Sequence, residues 1–253
     1  LNEMLLPYVQ RKDATELTKD LPPMQQVVLH IRQSRMQCRL YRYFQKFQKT
    51  PDGDSYKNFF SMYTALRPIH NHPGCLMLSS DKASQTNALT KDNANNSGDA
   101  GEAATSSSSW WMNLFKKESP DKLKEVENGF KIVLLLHILV ISERLGDKVL
   151  VFSQCLKTLD FIEEVLARAN WSEHVSSLAS SFPGKQMGSW KKGIDYLRID
   201  GDINAAERGG LVDQFNGEKN GDIRAFLISS KAGGMGNNLP AANRVVLFDS
   251  HFK

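Results

Sequence analysis

The stretch Ser229-Ser230-Lys231-Ala232-Gly233-Gly234-Met235-Gly236-Asn237-Asn238-Leu239 concentrates hydroxyls, a lysine and three glycines in one short segment. In a loop, that mixture can turn backbone N–H groups toward phosphate oxygens, with Lys231 adding a point charge. A glycine-rich turn after a strand is as often purely structural. It is not a Walker A loop: no G-x-x-x-x-G-K-[S/T] occurs in the chain, and Pro183-Gly184-Lys185-Gln186 departs from that pattern. The usual primary cradle for a triphosphate is therefore missing from these residues. Other chemistry-bearing groups carry less. His70, His72 and Cys75 lie close in sequence, but a zinc site wants a fourth ligand and Pro73 fixes the turn, so no metal is expected. Asp160, Glu163 and Glu164 read as a solvated helix face rather than a catalytic carboxylate pair. Trp110-Trp111 could stack on bases, though an anchor returning the chain to packed structure is the favoured reading. Lys191-Lys192, beside Trp190, could meet phosphate or be plain surface.

Short apolar strands alternating with helices must position the loop. The strands are Lys148–Phe152, Tyr196–Ile199, Ala225–Ile228 and Arg244–Phe248, and helices fit at about 129–145, 157–168 and 204–216. Gly146 is placed to cap the first helix. This pattern predicts an α/β fold of right-handed βαβ units around a parallel sheet covered on both faces. Ligands of such sheets bind outside the carboxyl ends of the strands. Those ends are Ser153-Gln154, Asp200-Gly201, Ser229-Ser230-Lys231 and Asp249, all polar and all expected on one edge.

Three zones are expected along the chain. Residues 1–78 mix basic and aromatic residues, with a strand at Gln26–Ile31 and a helix from about Ser34 to Phe47 carrying Tyr41, Phe44 and Phe47 on one face. Residues 79–109 are rich in Ser, Asn, Asp and Gly, too polar to offset the entropy of ordering, and read as a low-complexity, disordered insertion. Residues 110–253 hold the α/β pattern. The chain has 253 residues, 41% hydrophobic and 24% charged, with a net charge of +4 that permits a nucleic-acid partner without arguing for one. Cys38, Cys75 and Cys155 are too scattered for a disulfide framework and fit a reducing compartment. The apolar run Ile132–Ile141, interrupted by His137, is too short to span a bilayer. Both ends look cut, so the chain reads as a fragment.

The motifs are specific beyond their composition. Lys148-Val149-Leu150-Val151-Phe152-Ser153-Gln154 resembles motif IV of Swi/Snf-type helicase-like ATPases. Arg198-Ile199-Asp200-Gly201, with Arg208 and Gln214-Phe215-Asn216, resembles the family's "R-[L/I]-D-G … R … F-N" block, and Ser229–Leu239 followed by Ala241–Asp249 resembles motif V and its strand. Asn71-His72-Pro73 matches an "NHP" in the helical protrusion, and Val9-Gln10-Arg11-Lys12, Leu21-Pro22-Pro23 and Ala241–Val245 resemble the ATRX-like branch.

The resemblance implies the second of two RecA-like lobes, with a helical protrusion, from a motor that translocates on double-stranded DNA and remodels nucleosomes in the nucleus. Residues 1–78 would end lobe one and form the protrusion, and 110–253 would form lobe two. ATP with Mg2+ would be held mainly by the first lobe. Ser153, Gln154, Ser230 and Lys231 would meet the DNA backbone, and Gly234, Gly236 and Asn238 would lie near the ATP cleft. Asp200, Gly201 and Arg208 would be structural. Ser230 replaces the family's usual Thr, Asn237 its usual Ile and Phe252 its usual Trp. Motif VI, which supplies an arginine finger, would follow Lys253, so the chain alone is not expected to hydrolyse ATP. The alternative is a non-catalytic DNA- or protein-binding scaffold that retained the lobe.

Overall fold

The computed structural model of the protein describes residues 23–49, 59–78, 110–115, 120–168, 189–217, 222–232 and 238–249. The chain divides into two compact units, 1–31 and 32–253. In the first, residues 23–31 form no regular element. The strand expected at Gln26–Ile31 is absent: Val27 and Val28 are 71% exposed and Leu29 55%. An apolar run becomes a strand only where a neighbour completes its hydrogen-bond ladder, and no neighbour pairs with it among the described residues.

Among the described residues the second unit is built on four strands: β1 (Val149–Ser153), β2 (Tyr196–Ile199), β3 (Ala225–Ser229) and β4 (Arg244–Leu247). All pair in parallel, in the order β2-β3-β1-β4. β1 and β3 lie inside the sheet, which is why they are apolar on both faces. Val149, Val151, Ala225 and Leu227 point to one side, where they pack on helices at Phe130–Leu145 and Leu156–Leu166. Leu150, Phe226 and Ile228 point to the other, packing with Phe215 of a helix at Ala205–Asn216. β4 is an edge strand and leaves Val245 and Leu247 exposed.

Among the described residues the α-helices are α1 (Arg35–Phe47), α2 (Phe59–Asn71), α3 (Phe130–Leu145), α4 (Leu156–Leu166) and α5 (Ala205–Asn216). Ser34 and Gln37 form a reciprocal capping box that starts α1. Gly146, at φ 75°, ends α3 in the left-handed conformation open to glycine, with its N–H bonded to the Glu143 carbonyl. Leu40, Phe44 and Ile69 of α1 and α2 form a second core with Trp110, Trp111 and Leu123. Both tryptophans are almost wholly buried, so they anchor this core and offer no face to a base. The segment 79–109 lies outside the described residues.

Candidate functional site

Register aligns the carboxyl ends of the strands. Ser153 pairs with Ser229, Phe152 with Leu247, and Ile199 with Ile228. The polar residues that follow each strand therefore share one edge. Beyond the sheet the ladder continues: the Ser230 N–H donates to the Ser153 carbonyl at 2.9 Å, and the Phe248 N–H to the Phe152 carbonyl at 2.9 Å.

Asp249 organises this edge. One carboxylate oxygen accepts from the Gln154 N–H at 2.8 Å; the other accepts from the Ser153 hydroxyl at 2.8 Å and from the Asn71 amide at 2.9 Å. Asn71 also donates to the Thr158 hydroxyl at 2.8 Å, and its own oxygen accepts from Lys131 Nζ at 3.2 Å. Burial lowers the Lys131 pKa below its ordinary value, and the Asp249 charge offsets only part of that. Asn71 stands at the last turn of α2 and Asp249 just past β4, so the network joins helical extension to sheet edge.

His72 secures the same joint. Its Nδ1 accepts from the Gly74 N–H at 2.9 Å and its Nε2 faces the Glu125 carbonyl at 3.1 Å, which fixes the tautomer with the proton on Nε2. The ring stacks on Phe161 with centroids 4.1 Å apart. Burial lowers its pKa to about 4. No room exists for larger neighbours: a Cβ on Gly129 would stand 2.1 Å from the His72 ring, and one on Gly74 would stand 2.4 Å from Phe161. Cys75 is buried, and burial pushes its thiol upward. Among the described residues no group of three or more His, Cys, Asp or Glu could hold a metal ion.

The glycine loop is gripped at both ends by α5. Arg208 donates to the Ala232 carbonyl at 3.1 Å and to the Ile203 carbonyl at 3.1 Å. Asn216 donates to the Asn238 carbonyl at 2.8 Å and accepts from the Ala241 N–H at 3.5 Å. These residues are eight positions apart, roughly 12 Å along a helix, so one rigid element sets the span of the loop. Gly234, Gly236 and Asn237 lie outside the described residues. Asn238 is exposed, as is Lys231, while Ser230 and Gln154 are half-buried. Ser153 is fully buried, with its hydroxyl turned into the Asp249 network and away from solvent.

Behind the edge, Arg198 is buried on β2 and reaches three carboxylates. Its Nε bonds Asp200 at 2.9 Å, its Nη1 bonds Asp160 at 2.7 Å, and Nη1 also meets Glu163. Burial alone would lower its pKa, but the Glu163 and Asp160 charges more than offset that and raise it. Asp200 further accepts from the Asp202 N–H at 3.2 Å, shaping the turn at the exposed Gly201. Asp160 and Glu163 are thus counterions of an internal arginine, not a solvated face; Glu164 pairs with Lys124 and Arg168 at 3.3 and 3.4 Å.

The sequence pattern identified Asn71 and Asp249 as motif and edge residues but not as partners across 178 positions. Lys131 went unread. Its one signal is a lone cation in the apolar start of α3.

Comparison with known proteins gives a consistent result. The family described as "Helicase conserved C-terminal domain" matches residues 130–253. "Protein CHROMATIN REMODELING 20" of Arabidopsis thaliana is 36% identical over 98% of this chain and 18% of its own length. "Transcriptional regulator ATRX" of Mus musculus is 33% identical over 99% of this chain and 13% of its own length. The chain therefore spans less than a fifth of either relative. The crystal structure of the C-terminal part of the Fun30 ATPase domain superposes with a TM-score of 0.54 at 21% identity, covering 91% of this chain and 76% of that one. That likeness concerns the fold.

Proposed function

We propose that this chain, whose residues 130–253 match the helicase conserved C-terminal domain and whose relatives include proteins named for chromatin remodelling and transcriptional regulation, is of the Swi/Snf type and forms the second motor lobe and part of the helical protrusion of an ATP-dependent translocase on double-stranded DNA. The parent remodels chromatin and works in the nucleus. The observation that carries this reading is the single polar edge on which Gln154, Ser230-Lys231 and Asp249 converge, with the adjoining glycine loop spanned by α5.

Each residue has a part. Lys231 and Ser230 contact DNA phosphates, together with the Gln154 side chain. Such contacts give position and salt-dependent affinity rather than sequence readout. Ser153 takes a positioning part: buried, it holds Asp249, which in turn fixes the backbone of Gln154. Gly234, Gly236 and Asn238 border the ATP cleft. Arg208 and Asn216 hold the loop at its ends, so a movement of α5 carries the cleft and the DNA-facing residues together. ATP is the substrate; its Mg2+ enters with the phosphates and the first lobe, and no carboxylate cluster on this lobe is assigned to it. Supports for this reading are the ordered motif blocks, the shared edge and relatives named for chromatin remodelling and transcriptional regulation.

The test is ATP hydrolysis by the full-length parent with and without duplex DNA, alongside the 253-residue chain alone. The reading expects the parent's rate to rise at least tenfold on duplex addition and the isolated chain to be inactive. A parent that hydrolyses no ATP with duplex present would favour a scaffold and refute the motor.

A further inference from the structure

A second charged surface lies on α1, and the sheet edge takes no part in it. Arg35, Arg39, Arg42 and Lys46 are all exposed. At about 100° per residue they fall within an arc of roughly 60°, directly opposite Gln37, Leu40 and Phe44, which enter the core. With a 1.5 Å rise, the four cations run along roughly 16 Å of straight helix. Two adjoining grooves, of about 480 and 570 Å³, follow this face from Gln33 to Lys49, and Arg42 and Lys46 line both. Between positions 21 and 51 the chain has six Lys or Arg and no Asp or Glu, although the whole chain carries only +4. The rest of the chain is therefore slightly acidic, and the positive charge is gathered on this segment.

We infer that the exposed face of α1 is a binding track for the phosphodiester backbone of duplex DNA, separate from the motor edge. Regularly spaced cations on a segment that has no Asp or Glu of its own match a ligand whose charge repeats uniformly. Arginine forks suit phosphate oxygens, and the interleaved Gln33, Gln45 and Gln48 add neutral donors for phosphate and sugar. Arginine clusters also take acidic peptides, but their carboxylates are irregularly spaced, whereas these four cations recur every three or four residues along one stripe. The apolar residues lining the groove are Cys38, Leu114 and Tyr43, whose ring is stacked on Trp110 with centroids 6.1 Å apart. The track rests on a firm base, because Phe44 and Trp110 behind it are buried in the second core.

The experiment uses the full 253-residue chain and a fluorescent mixed-sequence duplex of about 20 base pairs, titrated over a range of salt. Each phosphate contact contributes about 0.9 to the slope of log affinity against log salt. The combined variant Arg35→Gln/Arg39→Gln/Arg42→Gln is expected to weaken binding at least tenfold and to reduce that slope by about 2 to 3. Unchanged affinity and slope would overturn the track. A second readout needs no variant: Cys38 lies in the groove and is half-buried, so duplex should slow its alkylation at least fivefold in the wild-type chain. Equal protection by polyglutamate would replace DNA with an acidic protein partner and refute the proposal, as would no protection by duplex. The motor reading fails or stands separately, since Lys231→Ala leaves the α1 track untouched.

Discussion

At the residue scale, His72 is the most informative single side chain. The sequence marks Asn71-His72-Pro73 as a motif, but nothing in a triplet says that the ring will be buried. Its role comes from residues far along the chain: Phe161 supplies the stacking face, Glu125 the acceptor and Gly129 the space. A neutral ring held this way makes stability depend on pH. In the unfolded chain the group titrates near 6.5, while in the folded state burial lowers it to about 4. Between those values the unfolded state binds a proton that the folded state refuses. The stabilisation is therefore complete above about pH 6.5 and is lost as pH falls toward 4, by roughly 3 kcal/mol in total. Urea midpoints measured from pH 7.5 to 4.5 should fall more steeply for the wild type than for His72→Asn. Parallel curves would assign the acid sensitivity to other groups.

At the element scale, the strands and helices of the sheet were legible because alternation of apolar runs with helical periods is a local signal. The four strands and helices α3, α4 and α5 fall within one or two residues of their expected bounds. Gln26–Ile31 was misread for a complementary reason: its β-branched and apolar residues carry the propensity, but pairing is a property of neighbours. Asp160 and Glu163 were misread because their partner, Arg198, sits on a different element and points inward. That ion group gives a clean prediction. Arg198→Met would remove the buried cation that Asp160, Glu163 and Asp200 share, leaving Glu163 with the exposed Lys192 at 3.4 Å, and removal of one partner from such a buried group costs about 3 kcal/mol. Chemical denaturation should show a loss of that order, with Arg198→Lys falling between, because a lysine restores charge but not the fork. A loss under about 0.5 kcal/mol, as for an exposed pair, would show that the cluster is solvated.

At the scale of the whole molecule, two features recur: long-range polar joints and a division of charge. Asn71, Lys131, Ser153 and Asp249 tie the helical extension to the sheet edge through side chains that are separated widely in sequence. No local pattern could reveal that network, although each motif was visible by itself. The same edge ends in Ser230 and Lys231, and Lys231 is an exposed cation at the carboxyl ends of the strands. The decisive measurement is the DNA concentration that half-saturates ATP hydrolysis by the full-length parent, compared between wild type and Lys231→Ala at fixed salt. Loss of one phosphate contact is expected to raise that concentration roughly tenfold and to lower the salt slope by about 1. An unchanged half-saturation point and an unchanged slope would contradict the assignment of this edge to DNA.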